Sequence, residues 1–89
     1  MENGIYYITL KSQVFPKGHY KYGKIKIENN QIVGYLFDNN LERLNKANSK
    51  SFYTGIPTDM WELRINQSNI LNDSNILIFT KETHPEFFI

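Results

Sequence analysis

The sequence predicts a mostly β (α+β) domain, built as a mainly antiparallel sheet of about five strands or a small partly open barrel, with one short helix near residues 39–48. In Lys24–Glu28, charged side chains alternate with isoleucines, which is the two-residue period of a strand with one buried face. Asn29-Asn30 follows, and asparagine tolerates the positive φ that tight hairpin turns require. The chain of 89 residues has the length of a single domain, 1–89.

The first strand is predicted at Ile5–Leu10, where β-branched and aromatic residues predominate. Phe15–Gly18 contains proline and glycine and reads as a loop. The hairpin then extends over residues 20–37. Its second strand, Ile32–Phe37, is apolar on both faces, which favours a central position in the sheet.

The helix is predicted from its capping signal and its apolar face. Asn39 can cap the first turn, and Glu42 lies three residues later, where the acid of a capping box belongs. Leu41 and Leu44 share one face. About two turns of helix do not persist alone in water, so this helix must pack on the sheet.

The second half of the chain contains two further predicted strands. Trp61–Ile65 alternates cleanly, although a helix beginning at Asp59 is a competing interpretation. Ile76–Thr80 is predicted to be the last strand. Residues 66–71 and 72–77 form a short repeat, but two copies are too few for a solenoid.

The composition indicates which crosslinks, which cellular compartment and which kind of genome to expect. There is no cysteine, so neither a disulfide nor a thiolate metal site is expected. No signal peptide or membrane-spanning run is recognisable, which predicts a cytoplasmic protein without a membrane partner. The abundance of asparagine, lysine and isoleucine indicates an AT-rich genome, such as that of a low-GC bacterium or one of its phages.

A catalytic site is not predicted. His19 and His84 are the only histidines, and each lies beside a glycine or a proline, as loop histidines do. Asp59 and Glu62 are the closest pair of acids with apolar neighbours, yet a turn acid and an exposed strand acid explain them. The five glycines are scattered and form no phosphate-binding loop. We therefore expect neither enzyme activity nor a cofactor nor a metal, with a site around the two histidines as the competing hypothesis.

One constellation does suggest binding. Four side chains share one face of the first hairpin strand and combine cations with rings: Tyr20, Tyr22, Lys24 and Lys26. Proteins that bind single-stranded nucleic acid pair lysines with stacking aromatics in this way. This Tyr/Lys stripe is either a solvent-facing binding surface or an ordinary exterior whose lysines discourage edge pairing.

The apolar tail Phe87, Phe88 and Ile89 is the second predicted contact surface. It either closes the core of its own domain or docks onto a partner or a second copy of the chain, since exposed apolar patches mark interaction sites. A homodimer formed through the last strand and the tail would be one result.

Together these features predict a small non-enzymatic module that acts by protein–protein interaction, for example an inhibitor or regulator of a larger host protein encoded by a phage or mobile element. The alternative is a single-stranded nucleic-acid-binding protein that uses the Tyr/Lys stripe. The net charge of only +1 argues against strong non-specific DNA binding, in which several phosphates are neutralised together.

Overall fold

A computed structural model describes residues 2–11, 20–52 and 74–89. They form an antiparallel sheet of four strands with one short helix, which confirms the predicted fold class with four strands instead of about five. The strands are β1 (Gly4–Leu10), β2 (Tyr22–Glu28), β3 (Gln31–Asp38) and β4 (Ile76–Phe79), in the spatial order β3-β2-β1-β4. The predicted Phe15–Gly18 loop, the Trp61–Ile65 strand and the first copy of the repeat lie outside the described residues.

The predicted hairpin is confirmed. β2 and β3 pair around Asn29 and Asn30, whose φ angles of 53° and 62° are left-handed. Positive φ at both central residues is the requirement of a type I′ turn, which matches the twist of the flanking strands. Asn3, just before β1, contacts the turn, because its Oδ1 accepts a hydrogen bond of 2.9 Å from the Asn29 backbone N–H.

The predicted central position of the second hairpin strand is not seen among the described strands. In the described part of the sheet, β3 lies at one edge, and β1 and β2 occupy the centre. Its two-sided apolar character has another cause: Tyr35 and Phe37 belong to the core on one face, whereas Leu36 packs into the core on the other. A register shift opposite Lys26 and Ile27 leaves Val33 as an extra residue that is 38% exposed.

The sheet carries a hydrophobic cluster on each face. One cluster is centred on the fully buried Ile8, Ile25 and Ile27. The other lies beneath the helix and is built around Phe79 and Leu44, each 1% exposed. Since both faces are covered, a charged residue on either face of β2 is not automatically exposed to solvent.

The helix α1 (Leu41–Lys46) begins one residue later than its capping signal predicted. Asn40, rather than Asn39, is the N-cap, and its Oδ1 accepts the backbone N–H of Arg43 at 3.1 Å. Glu42 consequently pairs with Lys46 one turn along the helix instead of closing a capping box. Leu41 and Leu44 face the sheet as predicted.

Asp38 ties the end of β3 to this helix. Its carboxylate accepts hydrogen bonds from Arg43 Nη2 at 2.7 Å, from Arg43 Nε at 3.1 Å and from the Asn40 backbone N–H at 2.8 Å. These contacts, led by the hydrogen bonds from Arg43, lower the pKa of Asp38. A carboxylate whose folded-state pKa is lowered stabilises the fold above its unfolded pKa of about 3.9 and loses that effect as the pH falls through the folded value.

We therefore expect Asp38→Asn to flatten the acid side of the stability profile. Urea unfolding measured between pH 7 and pH 2 should show a smaller loss of unfolding free energy in the variant than in the wild type. The effect is modest, since the Arg43 side chain is 70% exposed and solvent screens the pair. Identical profiles would show that Asp38 does not couple folding to protonation.

Candidate binding groove

Three residues of the Tyr/Lys stripe, Tyr22, Lys24 and Lys26, alternate along β2 and so share one of its faces, but it is the face beneath the helix; Tyr20 precedes the strand. Tyr22 and Lys24 pair across the sheet with Thr9 and Tyr7, and these belong to the helix-covered side. Lys24 is only 7% exposed. The solvent-facing position predicted for Lys24 is therefore wrong, because the two-residue period shows which residues share a face but not what covers it.

Lys24 instead caps the end of α1 from below. Its Nζ donates hydrogen bonds to the backbone oxygens of Ala47 at 2.7 Å, Leu44 at 3.0 Å and Asn45 at 3.4 Å. The last carbonyls of a helix lack partners within the helix and carry the negative end of its dipole, so a cation satisfies both.

Aromatic rings complete the surroundings of this ammonium group. It lies 5.8 Å from the ring centroid of Tyr7 and 5.9 Å from that of Phe52, within the range of cation–π attraction. Burial, with a smaller effect of the nearby Lys81, lowers the pKa of Lys24. The surroundings thus assign Lys24 to holding the helix on the sheet.

The two other outer members of the stripe remain at the surface. Tyr20 is 42% exposed. The Lys26 side chain is also 42% exposed, and its ammonium lies 3.3 Å from a carboxylate oxygen of Glu28. Lys26 is therefore neutralised locally, and the stripe provides no continuous row of free cations.

The tail packs against its own domain. Phe87 and Phe88 lie in the 3₁₀ helix Pro85–Phe88, and their rings reach the core on the helix side of the sheet. The Phe87 and Phe79 centroids are 4.6 Å apart, and those of Phe88 and Tyr7 are 5.0 Å apart. Of the two predicted alternatives, closing the core therefore describes Phe87 and Phe88, whereas Ile89 is fully exposed.

The start of β2 and the tail meet at one concave surface, which we call the Tyr22–Phe87 groove. It has a volume of about 300 Å³ and is lined by Thr9, Leu10, Lys11, Lys21, Tyr22, Leu77 and Phe87. Thr9 pairs with Tyr22 on one side and with Leu77 on the other, so these three form one row across β2, β1 and β4. The groove thus unites Tyr22 and Phe87, which the sequence assigned to separate contact surfaces.

Two lysines give the groove its charge. Lys11 and Lys21 are both exposed, and neither has an ion-pair partner among the described residues. Their backbones are fixed: the Lys11 N–H donates to the Asn75 carbonyl at 2.9 Å, and the Lys21 N–H donates to Asn39 Oδ1 at 2.8 Å. The described lining contains no acidic side chain, so the groove has a positive rim.

Sequence reasoning missed Lys11, Lys21, Thr9 and Leu77 as site residues. Lys21 directly precedes β2, where strand alternation no longer determines its direction. Lys11 follows β1 and reaches the groove only because β1 lies between β2 and β4. Their one shared signal is the excess of lysines in the first part of the chain, and that signal does not locate a groove.

The histidines and acids considered as catalytic or metal-binding residues do not form a site in the described structure. His84 lies near Phe79 and Phe87, with its Nδ1 3.0 Å from Thr83 Oγ1. His19, Asp59 and Glu62 lie outside the described residues. Within the described segments, no three histidine or acidic side chains come together as metal ligands would. The helices of these segments are also too short to span a membrane.

Comparison with protein-family models, with curated proteins and with solved structures finds no match to this chain.

Proposed function

We propose that this protein is a non-enzymatic binding module that holds a protein partner in the Tyr22–Phe87 groove and thereby inhibits or regulates it. The observation that carries the proposal is the groove itself, in which half-buried apolar groups adjoin two lysines without ion-pair partners in the described chain. Interfaces combine an apolar centre with a polar rim in this way. We further propose that it acts in the cytoplasm of a low-GC bacterium, since asparagine, lysine and isoleucine are abundant as in AT-rich genomes, and that a phage or mobile element encodes it.

The distribution of cations favours a protein over a nucleic acid. Tracking a phosphate backbone requires several lysines or arginines along one path. Lys24 donates to helix carbonyls and Lys26 pairs with Glu28, so the stripe offers neither for phosphates. Two cations at one groove suit a short charged segment of a protein better than a continuous strand.

A single-stranded nucleic-acid-binding protein is the second candidate. Tyr22 adjoins the cations Lys11 and Lys21 in the groove, and the exposed Tyr20 precedes Lys21 in the chain. A ring for base stacking thus lies beside ammonium groups for phosphate contact, which is the combination that single-strand binders use.

Capture of partners by the full chain tests the proposal. We expect the wild-type protein, immobilised and exposed to a nuclease-treated lysate of a low-GC bacterium, to retain a discrete protein that the folded variant Lys11→Glu/Lys21→Glu does not retain. The reason is that both substitutions reverse charge at the groove without removing a side-chain contact in the described structure.

Lys46→Glu/Lys50→Glu is the control, since it makes the same change in net charge at exposed positions outside the groove lining. It also removes the Lys46–Glu42 pair, whose side chains are 74% and 73% exposed, so the cost in stability is small. It should retain the same protein as the wild type. Equal capture by all three proteins would contradict a role of the groove. A parallel capture from untreated lysate tests the second candidate, which would be favoured by material that is retained there and absent after nuclease treatment.

A further inference from the structure

We infer that the groove takes a short extended peptide segment in which an apolar side chain is flanked by carboxylates. This inference rests on the proposed function and names the chemistry of the partner at that site.

The groove is long enough for about three extended residues. Its floor follows the cross-strand row of Tyr22, Thr9 and Leu77, which spans two gaps between neighbouring strands. At roughly 4.8 Å for each gap, the row is about 10 Å long. An extended chain advances about 3.3 Å per residue, so three residues match this length.

The floor provides an apolar contact for the middle residue of such a segment. Leu77 and Phe87 are half-buried, so each retains apolar surface that a ligand can cover. Thr9 at the centre is buried, and its Oγ1 donates to the Lys21 carbonyl at 3.0 Å. The central hydroxyl is thus satisfied within the protein, and an apolar side chain above it leaves no donor unpaired.

The two lysines at the rim of the groove favour acidic residues on either side of the apolar residue of the ligand. Lys11 follows the end of β1 and Lys21 precedes the start of β2, both line the groove, and neither has an ion-pair partner in the described residues. Three other cations of the described residues each pair with an acid and so have their charge balanced: Lys26, Arg43 and Lys46. A carboxylate on either side of the apolar residue therefore meets a free ammonium group, and a basic segment is repelled.

Amide chemical-shift mapping on the ¹⁵N-labelled full chain tests this inference with defined probes. The first probe is a blocked pentapeptide in which leucine is flanked on each side by two glutamates, and the second has glutamines in their place. The third is tetrathymidylate. Titration to about 5 mM detects dissociation constants near 1 mM.

We expect the glutamate peptide to shift the amides of Thr9, Tyr22 and Leu77, with affinity about tenfold higher than that of the glutamine peptide. Lys11→Glu/Lys21→Glu should weaken binding of the glutamate peptide about tenfold, and Lys46→Glu/Lys50→Glu should leave it unchanged.

Three results would overturn the inference: no shifts with the glutamate peptide, equal shifts with both peptides, or tighter binding of tetrathymidylate. The capture experiment separates this failure from failure of the proposed function. If a protein is still captured in a groove-dependent manner, the function stands and only the acidic chemistry of the partner is wrong. If groove-dependent capture is lost as well, both fail.

Discussion

Lys24→Glu is expected to unfold much of the protein at neutral pH. The substitution puts a carboxylate where an ammonium group now donates to the carbonyls of Leu44 and Ala47. Leaving these acceptors unpaired while burying a like-signed charge costs more than about 4 kcal/mol, judged from broken buried ion pairs. At about 0.05–0.15 kcal/mol per residue, that is a large share of the stability of a domain this size.

A graded series separates the lost hydrogen bonds from the reversed charge. Lys24→Met keeps the aliphatic stem against Tyr7 and Phe52 but removes the donor, so we expect a loss of about 2–3 kcal/mol. Lys26→Glu is the matched control on the same strand, and its partly exposed position predicts a loss below about 1 kcal/mol. Urea unfolding monitored by circular dichroism measures all three. Equal midpoints for Lys24→Glu and Lys26→Glu would refute the anchoring role of Lys24.

The structural role of Lys24 makes it unsuitable as a position for testing binding. Any substitution of Lys24 changes the seating of α1 on the sheet, so a loss of binding in such a variant would report unfolding. Lys11 and Lys21 are suitable test positions because they are exposed and lack ion-pair partners in the described part of the chain.

Local sequence patterns predicted the hairpin and the helix better than they predicted which residues pack against them. The alternation in Lys24–Glu28 and the Asn29-Asn30 turn determine the hairpin through backbone geometry alone. The spacing of Leu41 and Leu44 determines which side of the helix is buried. What covers each face of the sheet depends on contacts distant in sequence, such as those between Lys24 and Ala47, and no local period encodes them.

The groove, too, depends on contacts that are distant in sequence and that local patterns do not encode. Tyr22 was identified from its neighbours in sequence and Phe87 from its place in an apolar tail, but their convergence depends on the strand order β3-β2-β1-β4. Short-range alternation gives no strand order. It also did not place β3, because an apolar strand with both faces covered resembles a central one whatever lies at its edges.

Gly23→Ala is expected to destabilise the fold by about 3 kcal/mol, although alanine usually replaces glycine in a strand with a small gain. Gly23 lies between Ile8 and Phe37 in the sheet register. A β-carbon at this position would lie 2.5 Å from Phe37 Cε1 and 2.8 Å from Ile8 Cγ1. Ile8 is fully buried and Phe37 is 7% exposed, so neither can move away cheaply, and the cost is that of an overpacked core.

Gly34→Ala is the matched control because Gly34 lies on the adjoining strand, where the nearest atom to a new β-carbon is Phe52 Cδ2 at 3.1 Å. Phe52 is only half-buried and can yield, so the change in unfolding free energy should stay below about 1 kcal/mol.

Phe37→Leu in the Gly23→Ala background should recover part of the loss, since it removes the ring that the β-carbon meets. A double-mutant cycle in urea measures this coupling. Additive effects would mean that Gly23 is required for a reason other than contact with Phe37, because a shared clash makes the pair of substitutions less damaging than their sum.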